Sequence, residues 1–170
     1  APALAENGTY YAAIGTGRIK DALGSQPGFE KMQLIDVKAE VTRVEGTPFY
    51  TMPNIKFDVP PVDAVLTFRN YHNFDAAGRK AMNDASFAAL KSGGIYAIVD
   101  HTRRHMQGDN SENRRRVDPV LVIKEVEAAG FIFEDYSDLH YRYDDELIYG
   151  VGRKSVTGNT DRFTFKFRKP

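Results

Sequence analysis

With 170 residues, 42% of them hydrophobic and 27% charged, the chain has the makeup of one globular domain, long enough to bury roughly two thirds of its unfolded surface. Lys plus Arg and Asp plus Glu both count 23, so no net positive charge draws it to nucleic acid or to an anionic membrane. The absence of cysteine excludes disulfides, thiolate nucleophiles and thiolate metal sites, and no apolar run approaches the roughly 20 residues that cross a bilayer as a helix.

The opening APALAENG lacks the basic and then apolar pattern of a signal peptide; it reads equally as what remains after one, or something larger, was removed. Residues 8–15, GTYYAAIG, predict a strand, and 17–24 a short helix. Residues 27–40 predict a second helix, in which Phe29, Met32, Leu34 and Val37 are only loosely periodic. Residues 41–46 predict another strand, and 47–61, with four prolines, a loop.

From residue 62 the pattern sharpens. VDAVLTF, 62–68, is a short continuous apolar run. A helix follows, with Ala77, Ala81, Ala85, Phe87, Ala88 and Leu90 at helical spacing and Gly93-Gly94 expected to end it. IYAIVD, 95–100, is a second apolar run without alternation, which predicts burial on both faces in a parallel sheet. Asp118 is placed to cap a helix with Pro119 at its first position and Gly130 beyond its end. A strand over 130–139 follows. In DRFTFKFRK the alternation of Phe163, Phe165 and Phe167 predicts a half-exposed antiparallel strand at the carboxyl end.

This order implies one domain over 1–170: an open α/β sheet, mostly parallel, with right-handed crossovers. Ligands of such sheets bind beyond the carboxyl ends of the strands. Two groups are expected at that rim, Arg69 to His72 after the first apolar run and Asp100-His101 after the second.

RNYHNF at 69–74, LKSGGIYAIVDH at 90–101, RVDPVLVIKEVEAAGF at 116–131 and TDRFTFKFRKP at 160–170 together resemble the carboxyl-terminal half of class I S-adenosylmethionine-dependent methyltransferases. They are most similar to a bacterial methyltransferase family often made with an export signal. LKSGG before a buried strand is common to the superfamily, whereas the NYH, VDH and TDxFxxKFRKP elements are more specific. The resemblance implies a Rossmann-like sheet, S-adenosylmethionine as cofactor, a small-molecule acceptor, and a periplasmic or secreted location.

LAENGTYYA resembles the passage from the first helix of that fold into its second strand, so the alignment has the chain begin after the first strand and its glycine-rich loop. A missing central strand would strip two interior rows of backbone groups of partners, at about 1–3 kcal/mol for each group left unsatisfied. The expectation is that an amino-terminal fragment, a second protomer or the YYAAIGTGR segment completes the sheet.

The resemblance also distributes roles. His72 is the candidate base, with Asp100 and His101 beside it; alternatively His72 bonds a neighbouring loop and Asp100 caps the loop after it. Thr67 and Asn70 would line the cofactor, although Asn70 also fits a turn cap. Gly15, and Gly46 with Thr47, stand where acidic residues usually hold the ribose and read the adenine. Tyr71, Glu112 and Arg116 are candidate substrate contacts. Glu112 and Arg116, four apart, read equally as a surface ion pair, and the family-like histidine at 115 is Arg115 here. Two histidines and an aspartate without a spacing signature assign no metal. The functional expectation is a methyltransferase-like domain, with two alternatives: a non-catalytic binding or assembly domain on the same fold, and a hydrolase using His72, Asp100 and His101.

Overall fold

The computed structural model describes residues 4, 6–23, 26–27, 29–35, 37 and 39–170, with Arg18, Lys20 and Asp21 described in backbone only. The elements, in chain order, are β1 (Tyr10–Ala12), α1 (Ile19–Leu23), β2 (Met32–Leu34), β3 (Thr42–Arg43), β4 (Tyr50–Thr51) and β5 (Val62–Phe68). They continue with α2 (Ala76–Ala89), β6 (Leu90–His101), α3 (Pro119–Ala128), β7 (Ile132–Ser137) and β8 (Arg162–Arg168). Where a helix was expected over 27–40, the described residues form turns and the three-residue strand β2, which pairs parallel with β1. The proline-rich loop contributes β4 to a hairpin with β3. Gly24, Gly28, Asp36 and Lys38, at which those expectations also touch, lie outside the described residues.

The main sheet has the order β5-β6-β8-β7, in which β5 and β6 are parallel and β8 runs antiparallel to both of its neighbours. Three strands therefore share one direction, and the carboxyl-terminal strand is reversed, as the Phe163-Phe165-Phe167 alternation predicts. Although it comes last in the chain, β8 sits inside the sheet. A strand entering there must bury one face and pair on both sides, which its alternating phenylalanines and ungapped pairing with β6 allow.

Both large helices open on a capping aspartate, of which Asp118 was expected. The Asp75 carboxylate accepts the Gly78 N–H at 2.7 Å to open α2. Asp118 accepts the Val120 N–H at 2.9 Å to open α3, with Pro119 in the first turn. The end of α2 differs from expectation. The helix stops at Ala89, Leu90 is already extended, and Gly93-Gly94 lie within β6. Residues 91–93 bulge out between the Leu90–Val62 and Ile95–Ala64 pairs, and Gly93, at φ 77°, absorbs the reversal.

The register separates two faces. Tyr96, Ile98, Phe165 and Phe167 turn toward Met82 and Ala85 of α2 and Val122 and Val126 of α3, and all eight are buried. The opposite face holds Leu66 and Phe68, which are 54% and 62% exposed, and the half-buried Lys166 and Arg168. Burial on both faces, expected from continuous apolarity, holds only near the end of β6, where Val99 on this second face is also buried. Likewise β5 is an edge strand, with β6 its only partner among the described residues, rather than a central strand. Among the described residues no other strand pairs with its free edge, and β1, from the YYAAIGTGR segment, pairs with β2 instead.

Candidate functional site

The carboxyl ends of β5 and β6 do meet at one rim. Arg69 takes a left-handed backbone, φ 53°, and its N–H donates to the Val99 carbonyl at 2.7 Å, after which a short 3-10 turn, Tyr71–Asn73, crosses the end of β6. That turn sets the His72 Nδ1 2.5 Å from the Asp100 Oδ1, while the His72 backbone N–H donates to Oδ2 at 3.0 Å. Asp100, with no exposure, also accepts the His101 N–H at 2.7 Å. A carboxylate oxygen can only accept, so Nδ1 carries a ring proton, and the position left for proton exchange is Nε2.

His72 stands in the wall of a cleft of about 620 Å³. The rest of that wall comes from the β3–β4 hairpin, from the loop around Glu112 and Arg115, and from Gly150 to Arg153. A second cleft, of about 730 Å³, shares Arg43, Pro48, Ser111 and Arg114 with the first.

The expected site residues divide between these places. His72, Asp100 and His101 form one cluster, with the two imidazole centroids 5.7 Å apart. Glu112 lines the first cleft and Gly46 and Thr47 the second. Gly15, Thr67 and Asn70 line neither: Gly15 precedes a 3-10 turn, Thr67 is half-buried in β5, and the Asn70 side chain accepts from the Asn73 amide at 3.1 Å. The five residues expected at S-adenosylmethionine therefore do not line a single cleft.

Tyr71 and Arg116 are interior. The Tyr71 hydroxyl donates to Glu125 and accepts from the Asn83 amide, both at 2.9 Å, and burial pushes its pKa up, helped by the Glu125 carboxylate. Arg116 ion-pairs with Asp145, their side chains 0% and 1% exposed, in place of the surface pair with Glu112 that a spacing of four allows. Loop backbone, not helix, runs from 109 to 116, which is why that spacing brings nothing together.

Sequence reading missed Arg43 and Arg153 in the first cleft and Thr160 against His101. Arg43 and Arg153 come from segments more than a hundred residues apart, with no local pattern to mark them. Arg114 and Arg115 lie in a local basic run, NRRR at 113–116, which is the one signal that marks them in the sequence.

The His101 Nδ1 lies 2.8 Å from the Thr160 hydroxyl, with both residues buried. Burial lowers its pKa from 6.5 to about 4; the Asp100 carboxylate opposes this, and charge on His72, Arg162 and Arg69 reinforces it. Above pH 6.5 both folded and unfolded chains hold this imidazole neutral, and between 6.5 and about 4 only the unfolded chain takes the proton. Stability is therefore expected to fall as pH drops through that window. Thermal melts across it should show a steeper decline for the native protein than for His101→Gln, and parallel declines would refute the assignment.

No protein-family model and no curated protein matches the chain. Solved structures do. OxaC in complex with sinefungin and meleagrin aligns with a TM-score of 0.60 at 14% identity, over 100% of this chain and 38% of its own. An O-methyltransferase family 2 protein from Planctomyces limnophilus, in complex with apigenin, gives 0.53 at 13% identity, over 94% and 42%. The fold is that of the class I methyltransferases. The chain spans less than half the length of those two methyltransferase-fold structures, and the same fold also carries the [4+2]-cyclase SpnF, which aligns at 0.56 and 14% identity over 89% of this chain and 60% of its own. A methyltransferase fold thus hosts more than one chemistry, and function has to be argued from the site.

Proposed function

We propose that the chain is a methyltransferase-like domain that acts on a small-molecule acceptor, with His72 as the base that removes the acceptor's proton. The supporting observation is the 2.5 Å His72–Asp100 contact at the wall of a cleft. Asp100, held by two backbone N–H groups, fixes the ring's tautomer and stabilises the imidazolium once Nε2 has taken the proton. S-adenosylmethionine, when bound, supplies an electrophilic methyl group; structural neighbours held with SAH or sinefungin, PigF and OxaC, support its choice. The chain's own part is to orient the acceptor hydroxyl at His72 and to raise its nucleophilicity.

The second reading is a non-catalytic binding or assembly domain, in which an amino-terminal fragment or a second protomer pairs with β5. It is favoured by the scatter of Gly15, Thr67 and Asn70 away from both clefts and by the exposed edge strand. Calorimetric titration with S-adenosylmethionine separates the two. Binding of order micromolar, with methyl transfer to a panel of small phenols, is the expected result. No heat, no transfer, and a native mass equal to two chains or to the chain plus another polypeptide would establish the assembly reading instead.

A further inference from the structure

The first cleft is lined by Arg43, Arg114, Arg115 and Arg153 against one carboxylate, Glu112. Among the described residues none of the four is ion-paired. Arg43 reaches only the Thr47 carbonyl, at 3.4 Å, and Arg153 lies over the Tyr149 ring, 3.7 Å from its centroid. Elsewhere Arg79, Arg103, Arg116 and Arg168 each hold a carboxylate. In a chain with no net charge, four guanidinium groups left without counterions around one concavity make a local positive field that draws in and orients an anion.

The concavity is built rather than incidental. The Gly150 N–H donates to the Glu112 carbonyl and the Val151 N–H to the Arg114 carbonyl, which ties the two loops that carry Arg114, Arg115 and Arg153. Arg115 is held at a left-handed φ of 64°, a conformation a long side chain rarely takes unless its surroundings impose it. They do so through the next residue, because Arg116 is anchored to Asp145, to the Thr102 carbonyl and to the Tyr149 carbonyl. Phe49 and Tyr50 add planar apolar surface to the same lining, which also includes His72.

From this we propose that the acceptor is a small planar molecule bearing a carboxylate or phosphate, which the arginines clamp while its hydroxyl faces His72. This rests on the acceptor reading above, but its test needs no methyl donor and no turnover. Arg114 and Arg115 are exposed, so neutral replacements leave the core intact.

The probes are 3,4-dihydroxybenzoate, catechol as its uncharged counterpart, inorganic phosphate and a single-stranded oligonucleotide, each titrated calorimetrically into the native protein and into Arg114→Ala/Arg115→Ala. The acid is expected to bind at least about tenfold more tightly than catechol, and that gap should close in the double variant and shrink with added salt. Phosphate should compete with the acid; if phosphate alone binds, the anion is phosphate rather than carboxylate and the clamp stands. Measurable and equal binding of acid and catechol, no binding of either anion at millimolar concentration, or a gap unchanged in the variant would overturn the proposal. Tighter binding of the oligonucleotide than of either small anion would overturn it in favour of nucleic acid. Anion binding without methyl transfer would remove the catalytic reading and leave the anion site in place.

Discussion

His72→Ala is expected to reduce methyl transfer by about 100- to 10,000-fold, the range removed with a general base. Binding of donor and acceptor should survive, because His72 lies at the cleft wall and its side chain is only 4% exposed. The fold should survive as well. Without the imidazole, Asp100 still accepts the backbone N–H groups of residues 72 and 101, and the lost side-chain hydrogen bond costs about 1–3 kcal/mol. Asp100→Asn probes the same unit more gently. It leaves the volume unchanged but offers one acceptor oxygen where the native carboxylate offers two, so kcat should fall while KM is nearly unchanged. Transfer within about threefold of native in His72→Ala would dismiss the imidazole as base.

Arg116→Met should be the most damaging single change to stability. The native guanidinium makes two bonds to Asp145, at 2.8 and 3.0 Å, and one each to the Thr102 and Tyr149 carbonyls. Asp145 in turn accepts the N–H groups of Asp161 and Leu147 at 2.7 and 3.1 Å, so the pair fastens four stretches of loop. Removing the cation strands a carboxylate that is 1% exposed, at about 3–5 kcal/mol. For a domain of this size that lowers Tm by roughly 6–20 °C. Arg116→Met/Asp145→Leu should recover much of the loss, since neither charge is then left buried alone. A single variant that melts within a degree or two of native would show that the pair is solvated. Because Arg115 takes its backbone from this anchor, Arg116→Met should also weaken binding of 3,4-dihydroxybenzoate.

The two strands whose ends carry the catalytic candidates were legible because each is a short apolar run closed by polar residues, and backbone pairing alone brings such ends to one rim. The cap at Asp118 depends on contacts within a few residues and was read locally. The second helix expected in the amino-terminal third was misread. Phe29, Met32, Leu34 and Val37 are too sparse to separate a helical from an extended period, and pairing with β1 made the choice. The pairing of Arg116 was misread for a related reason: a spacing of four has meaning only on a helix, and the chain there is a loop.

The letters alone carried the class of sheet and the reversed direction of the last strand, because both follow from local periodicity. Only the tertiary structure decided which face of the sheet is covered, that β8 inserts between β6 and β7, that Arg116 is spent on Asp145, and that Arg43 and Arg153 join Arg114 and Arg115 around one cleft. Those outcomes depend on which distant segments compete for the same surface and the same counterion, and that competition is settled by the summed packing of the whole chain, not by any stretch of it.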